Sequence, residues 1–253
     1  MPSIAAAGIA LSREPAQAFA TFLESLSIGK AETHENLTVF PIFTSNPQPN
    51  GYLLLDEAVK TGKFTVTELS EDGNVTNLKV KNDLDQDVLI LDGDILIGAK
   101  QNRSVTTTII IARRTKTVVD VNCVEQGRWS YKSGAFSASE RPAYSRLRAV
   151  KAKSVSENLK ASNSFVADQG KVWDNIEEKS VRFCTAEPKF RFGPTMAAYD
   201  MYTSFENRTK VYEEATHLTD GQVGFVVLIS GKVAGCDIFG DPGVLSRTYS
   251  KGL

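Results

Sequence analysis

Two short runs in the first half of the chain are apolar at every position, and they constrain the fold more than any other feature. The runs are Val88-Leu89-Ile90-Leu91 and Ile95-Leu96-Ile97. They have the length of strands, and a strand without polar positions has both faces buried. We therefore expect a sheet whose central strands are covered on both sides. We interpret Asp92-Gly93-Asp94, which separates the runs, as a tight turn rather than a polar bulge.

Strand-type segments surround these runs and predict a β-rich body over residues 36–130. Residues 64–69 and 75–81 flank Glu71-Asp72-Gly73-Asn74, which is a hairpin signal. A second hairpin is predicted between residues 104–112 and 117–125. A third, over residues 223–239, is expected to join the same sheet system because it has no second core of its own.

The spacing of apolar residues becomes helical after residue 137, and residues 141–216 are predicted to be largely helical. An amphipathic helix is also expected near the N-terminus, in an extension over residues 1–30. The predicted fold class is α+β, with a largely antiparallel β-sheet core, sandwich- or barrel-like, and three to five packed helices. Residues 31–253 are predicted to form a single domain.

Composition excludes several classes of protein. The 29 basic and 30 acidic residues give a net charge of −1, so no overall field favours nucleic acid or an anionic membrane. No apolar run approaches the roughly 20 residues that span a bilayer. Three cysteines with long spacings indicate neither a disulfide framework nor a zinc site, which favours the reducing cytoplasm. A secretion signal at residues 4–11 is the alternative, but no Lys or Arg precedes it.

Polar side chains crowd between apolar strands in the segments Gly98-Ala-Lys-Gln-Asn-Arg103 and Cys123-Val-Glu-Gln-Gly-Arg-Trp129. The alternation of a strand places Glu125 on the apolar face with Val121 and Cys123. An inward carboxylate needs a partner or a raised pKa. Arg128 or Arg103 is the expected partner, and the pair is either a structural pin or part of a functional site. The two segments flank the second hairpin, so they are expected to meet.

Other chemistries are less favoured by the sequence. Neither His34 nor His217 has metal-ligand spacing, and no phosphate-binding glycine motif occurs in a strand-turn-helix context, so no metal site is predicted and the cofactor stays unknown. Asp92 and Asp94 are either turn residues or magnesium ligands. Cys123 is expected to be an inert inward thiol.

One local positive stripe stands out in the predicted helix over residues 143–160. Between Arg141 and Lys160 there are six basic residues, against the single acidic Glu157. The stripe, which includes Lys151 and Lys153, is either a solvated helix face or a surface for phosphate or RNA. The absence of interleaved aromatic residues disfavours RNA, so nucleic acid is not the expected partner.

Four motifs in a fixed order carry a family resemblance. They are GAKQNR at 98–103, CVEQGRW at 123–129, ADQGKVW at 167–173 and DIF at 237–239. In this combination the chain resembles the ARG and rhodanese-phosphatase-superfamily-associated protein domain family, from about His34 to the C-terminal hairpin. The resemblance implies a link, through gene neighbourhood, to ADP-ribosylglycohydrolases and the metabolism of NAD and ADP-ribose.

The leading hypothesis, from the residues and the resemblance together, is a cytoplasmic domain that binds a small anionic ligand of the ADP-ribose or NAD type. A hydrolase or transferase activity is the form that catalysis would take, with Glu125 and Asp168 as catalytic candidates. The ligand-binding candidates are Lys100, Gln101, Asn102, Arg103, Gln126, Arg128, Trp129 and Trp173. Cations would match phosphates, and tryptophan would stack on a base. The alternatives are a non-enzymatic adaptor with a buried polar network and, less favoured, an RNA-associated protein; the sequence does not predict the oligomeric state.

Overall fold

A computed structural model describes residues 13–70, 76–126, 133–186, 211–212 and 214–252. The elements of these ranges run in this order: α1 (Arg13–Glu24), β1 (Leu26–Ile28), β2 (Glu32–His34), β3 (Leu37–Thr44), β4 (Leu53–Leu54), α2 (Leu55–Lys60), β5 (Phe64–Glu68), β6 (Asn77–Asn82), β7 (Val88–Ile90), β8 (Ile95–Gly98), β9 (Arg103–Val105), β10 (Ile109–Ile111), β11 (Thr115–Cys123), β12 (Phe136–Ala138), α3 (Ser145–Ser162), α4 (Gln169–Ala186), β13 (Gln222–Ile229), β14 (Lys232–Ile238) and α5 (Pro242–Gly252).

The predicted fold class is confirmed. Within the described ranges, fourteen strands and five helices form an α+β fold with antiparallel sheets, one of which is nearly closed like a barrel. The short pair of β4 with β7 is parallel. In these same ranges no helix is long and apolar enough to cross a membrane.

The chain divides into two compact units, and each is described by itself. The first unit comprises Met1–Pro49 and Leu218–Ser246, and the second comprises Asn50–His217 and Arg247–Leu253. The division falls inside α5. The prediction of one domain from residue 31 onward stays a prediction.

In the first unit, a sheet of five strands has the order β1-β3-β13-β14, and β2 also pairs with β3. The predicted C-terminal hairpin is confirmed by the pairing of β13 with β14, and it joins β3. β1 lies within the stretch assigned to an N-terminal extension, but it pairs with β3. Its helix α1 forms as predicted, yet Phe19 on its apolar face is 62% exposed.

The second unit holds a six-stranded sheet with the order β12-β8-β9-β11-β6-β5 and a three-stranded sheet with the order β10-β7-β4. The β5–β6 pairing predicted from the sequence is confirmed; the turn between these strands lies outside the described residues. The two apolar runs become β7 and β8, and both are buried strands inside their sheets. Asp92 and Gly93 form a turn between them, as predicted, although β7 and β8 belong to different sheets.

The second predicted hairpin is correct only near its open end. β11 pairs with β9 and β6, whereas β10 leaves β11 and pairs with β7. The chain turns away after Val105, where both the amide and the hydroxyl of Thr106 bond to the Asp120 carbonyl oxygen, at 3.2 and 3.1 Å. No glycine or proline marks this departure, so alternation alone suggested one continuous strand.

Two apolar cores hold the second unit together. The larger one lies on the inward positions of β5 and β6, which are Phe64, Val66, Leu78 and Val80, together with residues of the neighbouring strands. The smaller one joins α3 and α4 to the β8 side of the sheet through Ile95, Val124, Leu147, Val172 and Ile176. Burial of one such side chain is worth about 2 kcal/mol. This smaller core sets α4 beside the end of β11. Of the stretch 141–216 that is predicted to be largely helical, residues 187–210 and 213 lie outside the described residues.

Candidate functional site

The start of β9 and the end of β11 meet. This meeting was predicted, because the segments that contain them flank the second predicted hairpin. Arg103 lies opposite Cys123 in the antiparallel register, and the Val124 amide donates to the Asn102 carbonyl oxygen at 3.1 Å. The GAKQNR segment is therefore in contact with the start of CVEQGRW. Six polar or thiol side chains gather at this junction and are called the Arg103 cluster below: Glu68, Gln101, Asn102, Arg103, Cys123 and Glu125.

Arg103 is the centre of the cluster, and its side chain is fully buried, with 0% exposure. Its Nη1 donates to Gln101 Oε1 at 2.8 Å and to Cys123 Sγ at 2.5 Å. Its Nη2 lies 3.7 Å from Glu68 Oε1. A buried guanidinium is tolerated only when a carboxylate and hydrogen bonds replace water, and the cluster supplies both.

Glu68 was missed by the sequence analysis. The residue ends β5, where the alternation of buried Phe64 and Val66 continues inward to position 68. The alternation of inward and outward positions that placed Glu125 on the apolar face therefore places Glu68 on the apolar face of β5 as well. The same alternation, followed along β5, is the sequence signal for this second carboxylate.

Cys123 is a buried thiol whose pKa is raised. Burial is the largest cause; Arg103 opposes it through its charge and hydrogen bond, and Glu68 adds to it. A thiol in this state is a poor nucleophile, because the thiolate is the reactive form. The structure thus agrees with the expectation of an inert inward cysteine.

Glu125 is buried, with 6% exposure, as its strand parity predicted. Its Oε2 accepts a hydrogen bond from the backbone N–H of Asn102 at 3.2 Å. Asn102 Oδ1 in turn accepts one from the Gly98 amide, also at 3.2 Å. The carboxylate therefore fixes the backbone of the loop that carries residues 98–102, which is a positioning role.

That loop has an unusual backbone. Gly98 has φ of 134° and Ala99 has φ of 44°, and Ala99 is almost fully buried. A Cβ at position 98 would lie 2.5 Å from Ser133 Oγ. The Ser133 hydroxyl is itself fixed, since it accepts from the Ala99 amide and donates to the Ala135 carbonyl oxygen. Strained conformations of this kind persist where surrounding contacts enforce them, and they are frequent at functional sites.

The ADQGKVW motif reaches the same junction through Gln169. Its side-chain amide accepts from the Cys123 amide at 2.9 Å and donates to the Cys123 carbonyl oxygen at 2.8 Å. One side chain therefore satisfies both backbone groups of Cys123, as a neighbouring strand would. Asn122 adds a bond from Nδ2 to the Ala167 carbonyl oxygen at 3.2 Å. Together these bonds fix the first turn of α4 against the end of β11.

Two further candidates lie on this helix. Asp168 is exposed, and its Oδ1 accepts from the Gly170 and Lys171 amides at 2.9 and 3.2 Å. It thus caps α4. Trp173 is half-buried, and its indole N–H has no acceptor among the described residues. The catalytic assignment of Asp168 and the ligand assignment of Trp173 both stay predictions.

The other predicted ligand contacts differ in accessibility. Gln101 and Asn102 are buried, Lys100 is half-buried, and Gln126 is exposed. Arg128 and Trp129 lie outside the described residues. The structure therefore brings together the 98–103, 123–126 and 167–173 stretches, and the assignments of single residues to ligand contact stay predictions.

Lys151 corrects one interpretation of the basic stripe. The sequence placed it on the surface of its helix, but its side chain is fully buried. Its Nζ donates to Ser104 Oγ at 2.8 Å and to the Val105 carbonyl oxygen at 2.5 Å, and it lies 2.9 Å from Asp92 Oδ1. Burial, the largest cause, lowers the pKa of this amine, and Asp92 opposes that effect. Lys151 thereby ties α3 to β9, next to Arg103.

The structure gives both acidic residues of the predicted turn a protein partner. Asp92 pairs with Lys151, and Asp94 Oδ2 accepts from the Leu91 amide at 2.9 Å. Within the described ranges, no group of three or more His, Cys, Asp or Glu side chains is arranged to hold a metal ion. The turn interpretation accounts for both residues without a metal.

Comparison with known proteins gives one finding that bears on this site. The sequence model of the ARG and Rhodanese-Phosphatase-superfamily-associated Protein domain matches residues 25–253, which is nearly the whole chain. The chain belongs to this family. The match confirms the resemblance carried by the four motifs, and the family region contains the entire Arg103 cluster. Comparisons with curated proteins and with solved structures gave no match.

Proposed function

We propose that this protein binds a phosphorylated nucleotide metabolite of the ADP-ribose or NAD type, in the cytoplasm, at the surface over the Arg103 cluster. The observation that supports the proposal is the convergence of three family motifs on one junction, held by Arg103, Glu125 and Gln169. Motifs far apart in the sequence meet there around charged side chains, and binding sites combine an ordered scaffold with a few convergent polar groups in this way.

The buried and accessible residues have different roles in this proposal. Arg103 and Glu125 have almost no exposed surface and act as positioning residues for the 98–102 loop. Contact with the ligand is assigned to Lys100 and Gln126, and to Arg128 and Trp129 on their sequence alone. A lysine and an arginine match the charge of a diphosphate, and an indole ring stacks on a base.

Catalysis, if the protein has it, is proposed to be a hydrolase or transferase reaction on a nucleotide-derived substrate. Of the two predicted carboxylates, Asp168 is the accessible one, whereas Glu125 is buried against the Asn102 amide. Asp168 therefore fits the role of a group that touches substrate better than Glu125 does.

Isothermal titration calorimetry with ADP-ribose, NAD and AMP tests the proposal. We expect saturable binding of at least one of these ligands, and Lys100→Ala and Arg128→Ala to weaken it by tenfold or more, about 1.4 kcal/mol each. Lys116→Ala, an exposed lysine near the other end of β11, is the matched control and should bind like wild type. Absence of heat with all three ligands, or unchanged affinity in both Lys100→Ala and Arg128→Ala, contradicts the proposal.

A second function is supported by a different observation, the complete enclosure of Arg103 by protein groups. In that case the cluster is a buried network that stabilises a non-enzymatic adaptor. Glu125→Gln would then lower the melting temperature, and none of the three nucleotides would bind to wild type. Under the first proposal, wild type binds and Glu125→Gln loses both stability and affinity, because the loop it holds carries Lys100.

A further inference from the structure

A cleft between α3 and α4 lies away from the Arg103 cluster. It has a volume of about 200 Å³ and is lined by Tyr144, Arg146, Asn175, Glu178, Lys179 and Arg182. Lys179 is ten residues beyond Gln169 on α4, which places it about 15 Å further along the helix axis. The cleft is therefore separate from the proposed nucleotide site, and neither depends on the other.

Lys179 is the distinctive group of this cleft. Its ammonium lies 3.6 Å from the centroid of the Tyr144 ring, which is a cation–π contact. Burial alone lowers its pKa to about 8. Across the described parts of the chain, no carboxylate forms an ion pair with it. The described part of the chain thus holds a partly desolvated cation against an aromatic face and gives it no ion-pair partner.

The neighbouring carboxylate is already occupied. Glu178 pairs with Arg146 at 3.3 Å through one oxygen and with Arg182 through the other. The lining of the cleft therefore holds three cations, Arg146, Lys179 and Arg182, and the single carboxylate of Glu178, which leaves an excess of positive charge. The hydroxyl of Tyr144 adds none of the opposite sign, because burial raises the pKa of this tyrosine and keeps it protonated.

Asn175 provides a built polar group at the base of the cleft. The residue is 7% exposed, and its Oδ1 accepts from the Tyr144 hydroxyl at 3.0 Å. Its Nδ2 donates to no acceptor among the residues the structure describes, and it is not among their enclosed, unpartnered atoms. An accessible amide donor in the lining of the cleft can donate to an acceptor on a ligand.

A second, larger cleft of about 320 Å³ adjoins the first, because Asn175 and Glu178 line both. Lys153, Lys171 and Asp174 are the other charged residues in the lining of the larger cleft. A ligand with an anionic group over Lys179 therefore has room for its remainder along the groove.

We propose that the α3–α4 cleft binds the oxyanion of a small metabolite, a carboxylate or a phosphate, between the Lys179 ammonium and the Asn175 amide. The anion supplies the counter-charge that no carboxylate of the described residues gives to Lys179. The cleft that contains Lys179 has a volume of about 200 Å³, which suits a small anionic group, since pockets for drug-sized ligands have volumes of about 300 to 1,000 Å³.

The test is a titration of the full-length protein, with the Lys179 side chain followed by NMR. Sulfate, inorganic phosphate and acetate are added in turn, with sodium chloride at equal ionic strength as the reference. We expect a saturable change at Lys179 with at least one oxyanion, and the preferred anion distinguishes a phosphate site from a carboxylate site. A change no larger than that caused by sodium chloride would overturn the proposal.

The pH dependence gives a second measurement on unaltered protein. Among the described residues, four charged or titratable groups line the cleft with Lys179. Tyr144 directly precedes α3, Arg146 lies on α3, and Glu178 and Arg182 lie on α4. An anion favours the protonated amine, so affinity should be full below about pH 8, the pKa of Lys179, and should fall as pH rises through that value. Sulfate is the probe here because it does not titrate in this range. A flat profile contradicts the proposal.

Two variants complete the test. Lys179→Met should weaken anion binding at least about tenfold. Lys160→Met, at an exposed lysine near the end of α3 that lines neither cleft, should retain binding to the Lys179 cleft. Equal loss in both variants would mean that only overall charge matters, which contradicts a specific site. If Lys179→Met does not fold, the two measurements on wild-type protein decide the question.

Discussion

Gly98 is the residue on which the geometry of the candidate loop depends most directly. Its φ of 134° is unfavourable for any side chain, and a Cβ would lie 2.5 Å from the fixed Ser133 hydroxyl. We expect Gly98→Ala to lower the free energy of unfolding by about 3 kcal/mol, from strain and steric overlap combined. Urea denaturation measures the change.

Gly62→Ala is the matched control for that substitution. Gly62 also has a positive φ, 70°, but nothing lies within 4 Å of its Cβ position. The expected cost is about 1 kcal/mol, from backbone conformation alone. Equal losses for the two variants would show that the contact with Ser133 contributes nothing.

Single residues also show where prediction from sequence reaches its limit. The burial of Glu125 followed from strand alternation, because a period of two leaves no other face for it. Lys151 did not follow, since a lysine is almost never fully buried unless it is paired, and its partner Asp92 lies 59 positions earlier in the chain. A helical pattern contains no information about that partner.

At the scale of elements, Gln169 makes two of the hydrogen bonds that attach α4 to β11, beside the bond from Asn122 and the smaller apolar core. Gln169 replaces a strand partner for Cys123, and Gln169→Ala leaves the amide and carbonyl of Cys123 without those bonds. We expect a loss of about 2 kcal/mol in the free energy of unfolding. Hydrogen exchange should show faster exchange at the Cys123 amide, while the paired amides of β5 and β6 keep their protection.

Gln126→Ala is the control, because Gln126 is an exposed glutamine three residues from Cys123. It should leave both stability and exchange unchanged. If Gln169→Ala also leaves the Cys123 amide protected, the helix start is held by the smaller apolar core and not by this side chain.

Strand pairing was predictable where a turn signal joined the partners. The β5–β6 and β13–β14 pairs are of this kind, with Glu71-Asp72-Gly73-Asn74 and Ser230-Gly231 between them. The pairing of β10 with β7 was not predictable, because these strands are distant and nothing in the sequence marks the departure of the chain at Thr106. The prediction that GAKQNR meets CVEQ is nevertheless confirmed, because this contact depends only on the β9–β11 register.

At the scale of the whole molecule, the spacing of apolar residues was enough to predict the α+β class with antiparallel sheets. Whether one or both faces of a strand are buried determines which of its positions are apolar, and the sequence shows this directly. The division into two compact units left only a partial trace. The first unit combines residues 1–49 with residues 218–246; the Pro- and Asn-rich stretch 45–51 spans the boundary after Pro49, whereas the boundary after Ser246 lies within α5. Arrangement of this kind depends on long-range pairing, here of β13 with β3.

The measurement that tests the central proposal most directly is an amide NMR titration of the full chain with ADP-ribose. We predict that the largest chemical-shift changes fall in residues 98–103 and 123–126, at the junction held by Arg103, Glu125 and Gln169. The same titration on Lys100→Ala should show much smaller changes at equal ligand concentration. No change in these two segments, or changes confined to α3 and α4 around Lys179, would contradict it.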